Sequence, residues 1–241
     1  VGITGVSHCT QSILFYFLGE KSPNLKNDFS KIKKEENVNS NLKLSISNKK
    51  IQVLLMFAGV FCCVAMSMPQ VHIVPLCIDN GFGLAVGTEI LSFMLFAAVT
   101  SRVLFGFLSD KIGPIQTLIL GSTLQAISLS MFLPFNSQLS LYIVAICFGL
   151  SQGGIVPIYA VIISKFLPEN EVAERVGLLI FATIVGMSLG GWLSGEIYDY
   201  TNSYQMAFLN GIFWNLINLL IMFYLFLKYK QSIKSVDKYE Y

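Results

Sequence analysis

Six long apolar runs divide most of this sequence, and each is about as long as a bilayer core is thick. A helix rising 1.5 Å per residue needs about 20 apolar residues to cross a hydrocarbon layer of roughly 30 Å. The runs cover Ile51 to Ile78, Leu84 to Leu108, Ile115 to Pro134, Leu139 to Phe166, Val176 to Ile197 and Tyr204 to Leu227. They are continuously apolar rather than alternating, which argues against a β-barrel. Short connections join them, so neighbouring spans must run antiparallel. The expected fold is all-α, a polytopic membrane bundle of six transmembrane helices over 51–227. Composition agrees: 12% of the 241 residues are charged and 54% are hydrophobic, where soluble domains carry about 25% charge.

Ahead of the spans lies a polar stretch, 19–50, whose mixed charge and low hydrophobicity describe a linker. The run Val1 to Leu18 is apolar enough to be the end of a preceding transmembrane helix. It has neither the basic start nor the small-residue cleavage site of a signal peptide. With no initiating methionine, the sequence is expected to begin inside a longer protein. Residues 228–241 form a polar tail. Lysine and arginine then set the orientation. Fifteen of the 16 basic residues fall in 19–50, in the turns after the second and fourth runs, or in the tail. The opposite turns, near 79–83, 135–138 and 198–203, hold none. The linker and the C-terminus are therefore expected on the cytoplasmic side of a plasma or inner membrane.

Other classes find little support. A net charge of +2 gives no basis for nucleic-acid binding. The five cysteines show neither CxxC nor Cys/His ligand spacing, so no metal site is indicated, and no cofactor is expected. No nucleophile–base pair or phosphate loop appears, which argues against an enzyme.

The sixteenth basic residue is Arg102, inside the second run and eight residues before Asp110, or roughly 12 Å along a helix. A charge at that depth costs at least about 2.5–3.5 kcal/mol on insertion scales. A water-filled cavity, a carboxylate partner or an anionic ligand would offset the cost; snorkelling to the headgroups is the plainer alternative. Ala98 and Gly106, one turn to either side, leave room beside the guanidinium. His72 follows Pro69, which should kink the first run, and it could line a pathway or only bond within the bundle. Gln152 and Tyr159 are seven apart, hence expected on one face, towards either a cavity or a neighbouring helix. Gly149/Gly153, Gly186/Gly190 and Gly191/Gly195 have the spacing of close helix packing. Asn210, Asn215 and Asn218 show no single face.

At the foot of the second run the sequence reads SRVLFGFLSDKIGP, Ser101 to Pro114. It resembles the cytoplasmic loop signature of the major facilitator superfamily, G-x-L-x-D-[RK]-x-G, with Gly106, Leu108, Asp110, Lys111 and Gly113 in place. Gly106 would allow close helix approach, Asp110 would meet a helix N-terminus or a basic side chain, and Gly113 would make the turn. PQVHIVPLCIDNG (69–81), GGIVPIYAVIISKFLPENE (153–171) and GGWLSGEIYDYTNSYQMAF (190–208) extend the likeness to monocarboxylate-porter-type facilitators, a group with oxalate/formate antiporter relatives. The resemblance implies the C-terminal half of a twelve-helix facilitator, partnered by an N-terminal six-helix half within membrane lipid. It further implies secondary transport, by symport or antiport, of a small organic anion such as a monocarboxylate. Arg102 would bind the carboxylate, Gly106, Asp110, Lys111 and Gly113 would form the gating motif, and a proton would be the co-substrate. Two positions depart from relatives. Ala98 stands where animal monocarboxylate members carry an aspartate, and the fifth run lacks the lysine used by oxalate carriers, which disfavours a dicarboxylate. A facilitator for a drug, sugar or nucleoside, or a truncated protein without transport, are the alternatives.

Overall fold

A computed structural model describes residues 47–134 and 137–237. The apolar run 1–18 and nearly all of the linker lie outside the described residues, as do 238–241. Within them the only regular structure is helical. In chain order the α-helices are α1 (Asn48–Asp79), α2 (Leu84–Ile112), α3 (Pro114–Met131), α4 (Gln138–Gln152), α5 (Ile155–Phe166), α6 (Val172–Thr201) and α7 (Tyr204–Asp237), with a 3₁₀ turn at Glu169–Glu171 before α6.

Among the described residues five stretches are long and apolar enough to cross a membrane: α1, α2, α4 with α5 as one stretch, α6, and α7 as far as Ser232. The chain is an all-α membrane bundle. The third expected span is the weak one. Helix α3 has 18 residues, about 27 Å, slightly less than the hydrocarbon core. Its polar side chains have a use inside the protein: Thr117, Ser122, Gln125 and Ser128 are all buried. Helix α7 also runs ten residues beyond the expected end at Leu227.

Small residues and prolines set the boundaries. Gly113 alone connects α2 to α3. Its φ of +91° is a conformation that glycine adopts freely, its N–H donates to Ser109 O, and Pro114 opens the next helix with a φ already suited to it. Pro157 explains why the fourth span breaks. A proline cannot donate to the carbonyl four residues earlier, and its ring crowds that carbonyl, which belongs to Gly153. The helix accordingly interrupts at Gly153–Gly154.

The helices pack as two repeats of three spans. The first span of each repeat lies against the second span of the other: α1 against α6, and α4 against α2. The two third spans, α3 and α7, lie against each other. An odd number of spans per repeat makes the second inverted relative to the first, an architecture that recurs in membrane carriers. Lipid supplies no hydrophobic force between helices, so these contacts rest on close packing. Gly186 and Gly190 press on Val60 and Val64 of α1, and Gly149 and Gly153 press on Met94 and Ala98 of α2. Two apolar clusters fill the interior end to end, one around Leu55, Leu118 and Ile158, the other around Met68, Met94 and Phe148.

Candidate functional site

Helix α2 divides sharply at the level of Arg102. Its inner side is fastened to the fourth span: Ser101 Oγ donates to Leu150 O at 2.6 Å, Ala98 is covered by Gly153, and Phe105 lies against Gly121 and Gly154. Its other side is open. Arg102 is exposed there together with Val99, Val103 and Gly106. Among the described residues Arg102 has no carboxylate or hydrogen-bond partner, while Arg175 is paired with Glu171. Arg102, ten residues or about 15 Å of helix rise before the end of α2 at Ile112, thus faces away from its own bundle with no acceptor for its donors among the described residues.

The loop motif is partly as expected. Gly113 makes the turn. Gly106 does not mediate a close approach: a Cβ there would meet nothing within 4 Å. Asp110 and Lys111 are exposed, and neither has a hydrogen-bond or ion-pair partner among the described residues. The partner expected for Asp110 is therefore not supplied by 47–134 or 137–237.

Gln152 and Tyr159 do not act together. The break at Gly153–Gly154 intervenes, and the two side chains meet different neighbours. Gln152 Oε1 accepts from Gln70 Nε2 of α1 at 3.2 Å, while its own Nε2, fully buried, has no acceptor. Tyr159 is completely buried, and its hydroxyl donates to Asn218 Oδ1 at 2.7 Å. That bond belongs to a polar layer across α3, α5 and α7. Asn218 Nδ2 donates to Ser122 Oγ at 3.0 Å, and Asn215 Nδ2 to Ser122 O at 2.9 Å. Asn215 and Asn218 share a face by their spacing of three, a signal hidden when Asn210 is counted with them. His72 is half-buried at the far end of α1. Its Nε2 lies 3.2 Å from Gly191 O, and Gly195 leaves room for the ring.

Two carboxylates accept tyrosine hydroxyls at that same end. Asp79 Oδ2 accepts from Tyr198 at 2.7 Å and Tyr204 at 2.9 Å, joining α1, α6 and α7. Glu89 Oε2 accepts from Tyr142 at 2.8 Å, joining α2 and α4. Both helix pairs held by glycines are thus also tied at the same end. Asp79 and its tyrosines lie more than 100 residues apart in sequence, so nothing local announces the contact.

The Major Facilitator Superfamily model matches residues 15–239. Among curated proteins the chain is similar to monocarboxylate transporter 13 of Rattus norvegicus, 29% identical over 143 residues, covering 58% of this chain and 33% of that protein. Its Bos taurus counterpart is 25% identical over 143 residues, 58% of this chain and 34% of the relative. The MFS-type transporter opdF of Penicillium oxalicum is 29% identical over 168 residues, 66% and 40% respectively. The matched stretch is about a third to two fifths of these relatives' length.

Proposed function

The chain belongs to the Major Facilitator Superfamily, and on that premise we propose that it takes part in secondary active transport of a small organic anion, a monocarboxylate, by alternating access. One observation carries the substrate class: Arg102, an exposed arginine within a helix long and apolar enough to cross a membrane, with no partner among the described residues. An unpaired charge at that depth is costly, and a carboxylate ligand offsets the cost with two parallel hydrogen bonds. Two of the relatives are named as monocarboxylate transporters, which supports the same class. A second six-helix half, as the greater length of the relatives suggests, would complete the cavity in front of Arg102. Gln152 is left out, because its side chain is buried within the bundle against Gln70, and His72 is the candidate proton carrier near the far end. Tyr159 is left out, because its hydroxyl is already committed to Asn218. A proton is the simplest co-substrate for moving an anion against a negative interior. The test is uptake of labelled lactate or pyruvate by the complete carrier with and without Arg102, developed in the Discussion.

In this reading the tail and the linker face the cytoplasm. In a cysteine-free protein, Ser203→Cys should react with an impermeant thiol reagent added outside, and Ser40→Cys should not. The opposite pattern would invert the orientation.

Asp110 and Lys111 stand exposed at the cytoplasmic end of α2, and their contacts would come from the second half. Asp110→Asn should lower the turnover of the complete carrier about tenfold while leaving substrate affinity largely intact, since the residue is roughly 12 Å from Arg102 along the helix. Unchanged turnover at matched membrane abundance would remove Asp110 from gating.

A further inference from the structure

The buried face of α2 is a stripe at helical spacing that includes Ile90, Met94, Ala98, Ser101, Phe105 and Ser109. Successive residues of a helix are about 100° apart. A stripe that turns Ser101 inward therefore turns Arg102 outward, and a small rotation of α2 would swing the guanidinium round. Most of the stripe is small or apolar. Such contacts hold helices together, but they are non-directional, whereas a hydrogen bond has a preferred direction. Among the described residues α2 makes two side-chain hydrogen bonds to other helices. Glu89 Oε2 accepts from Tyr142 near the far end, and Ser101 Oγ donates to Leu150 O at 2.6 Å. They are separated by about 18 Å of helix rise, and only the second adjoins Arg102.

The acceptor exists because the fourth span is broken. In an unbroken α-helix the carbonyl of Leu150 would take the N–H of Gly154. Here α4 ends at Gln152, Gly153 N–H donates to Gly149 O at 3.1 Å, and Gly154 N–H makes no bond to Leu150 O. The last carbonyls of a helix need partners from elsewhere, because an unpaired one inside a protein is costly. Ser101, fully buried, supplies that partner to Leu150. The break gives Ser101 its acceptor, and Ser101 gives the break a donor.

We propose that Ser101 is a positioning residue for Arg102: its bond to the carbonyl freed by the break sets the rotation of α2 and so aims the guanidinium at the substrate. The proposal rests on the reading of Arg102 as the carboxylate-binding group. Aim matters because a fork-to-carboxylate contact needs two parallel N–H donors in register. A lysine ammonium is a point charge on a flexible stem and has no such requirement. Loss of the Ser101 bond should therefore harm an arginine at 102 and leave a lysine there indifferent.

That difference gives the test. The contacts of Met94 with Gly149, Ala98 with Gly153 and Phe105 with Gly154 all remain in Ser101→Ala, so the variant should insert and fold. Lactate uptake into liposomes is measured for the complete carrier, Ser101→Ala, Arg102→Lys and the double variant at matched membrane abundance. Ser101→Ala should raise the half-saturating concentration about threefold, the order of one interhelical hydrogen bond in a membrane, with the maximal rate largely kept. In the Arg102→Lys background the same change should add almost nothing. A threefold rise in both backgrounds would mean that Ser101 only supports the fold, and would overturn the proposal. An unchanged Ser101→Ala beside a weakened Arg102→Lys would overturn it too, while leaving Arg102 at the substrate. Arg102→Lys behaving as the unmodified carrier would remove both the positioning role and the reading it rests on.

Discussion

Gly190→Ala should lower the thermal midpoint of the purified protein by several degrees, and Gly153→Ala should do the same. At Gly190 a single added methyl group would fall 2.6 Å from Val64 Cα and closer still to Val64 O and Ser67 Oγ. At Gly153 it would lie 2.6 Å from both the Cα and the carbonyl carbon of Ala98. Most of these atoms are backbone, which cannot rotate aside, so the helices themselves must move apart. Overpacking of this kind costs about 1–3 kcal/mol, and for a chain of this size each kcal/mol is worth about 2–4 °C. The two sites lie on different helix pairs, α6 on α1 and the fourth span on α2, so their effects should roughly add. Gly106→Ala and Gly177→Ala are the contrast. Neither Cβ would meet anything within 4 Å, and alanine is the better helix former by about 1 kcal/mol. Both should leave the midpoint unchanged or raise it. Equal losses at all four sites would mean that helix propensity, not packing, decides.

The second large effect is expected at Arg102. Its guanidinium presents a rigid fork that matches a carboxylate, whereas a lysine ammonium is a point charge on a flexible stem. Hydrogen bonds to charged groups are worth about 1.5–3 kcal/mol each, and about 1.4 kcal/mol is one decade of affinity. Arg102→Lys in the complete carrier should therefore weaken monocarboxylate binding at least about tenfold, and Arg102→Ala should abolish it. The alanine variant should still insert, because it removes a charge that insertion disfavours. Snorkelling predicts the reverse: lysine would serve as well as arginine, and alanine would be nearly silent. Because Ser101 and Phe105 hold α2 against the fourth span independently of Arg102, neither substitution should disturb the fold.

What the sequence discloses follows from how local each feature is. Apolar runs and glycine spacing are properties of single segments, so the bundle and the tight contacts at Gly149, Gly153, Gly186 and Gly190 were readable, whereas Gly191 and Gly195, with the same spacing, make no close helix approach. Gly113 was readable for the same reason, since the following proline marks the turn. The fourth span shows the limit. A spacing of seven puts Gln152 and Tyr159 on one face only of an unbroken helix, and Pro157, placed so that it denies Gly153 its hydrogen bond, breaks it between them. Gly106 shows another limit. Glycine permits a close approach, but only a partner helix makes one, and none of the described helices comes near it. The weaker apolarity of α3 became intelligible only with its neighbours in place, since Ser122 and Gln125 meet α7 and α1 inside the bundle. Arg102 was conspicuous in the sequence because one charge among apolar residues needs no alignment to be noticed.

The account rests on recognition of a carboxylate, and competition between an acid and its neutral counterpart reads that directly. Uptake of labelled lactate into liposomes holding the complete carrier should be saturable, competed by unlabelled lactate or pyruvate, and lost in Arg102→Ala. Lactamide has nearly the same shape but no charge, so it leaves the guanidinium without its partner. It should fail to compete even at tenfold higher concentration, about the penalty of one lost charge-assisted bond. Competition by lactamide as strong as by lactate, or wild-type uptake by the Arg102→Ala protein, would contradict the assignment of Arg102 to the substrate. Absence of any saturable lactate or pyruvate uptake would contradict the monocarboxylate class itself.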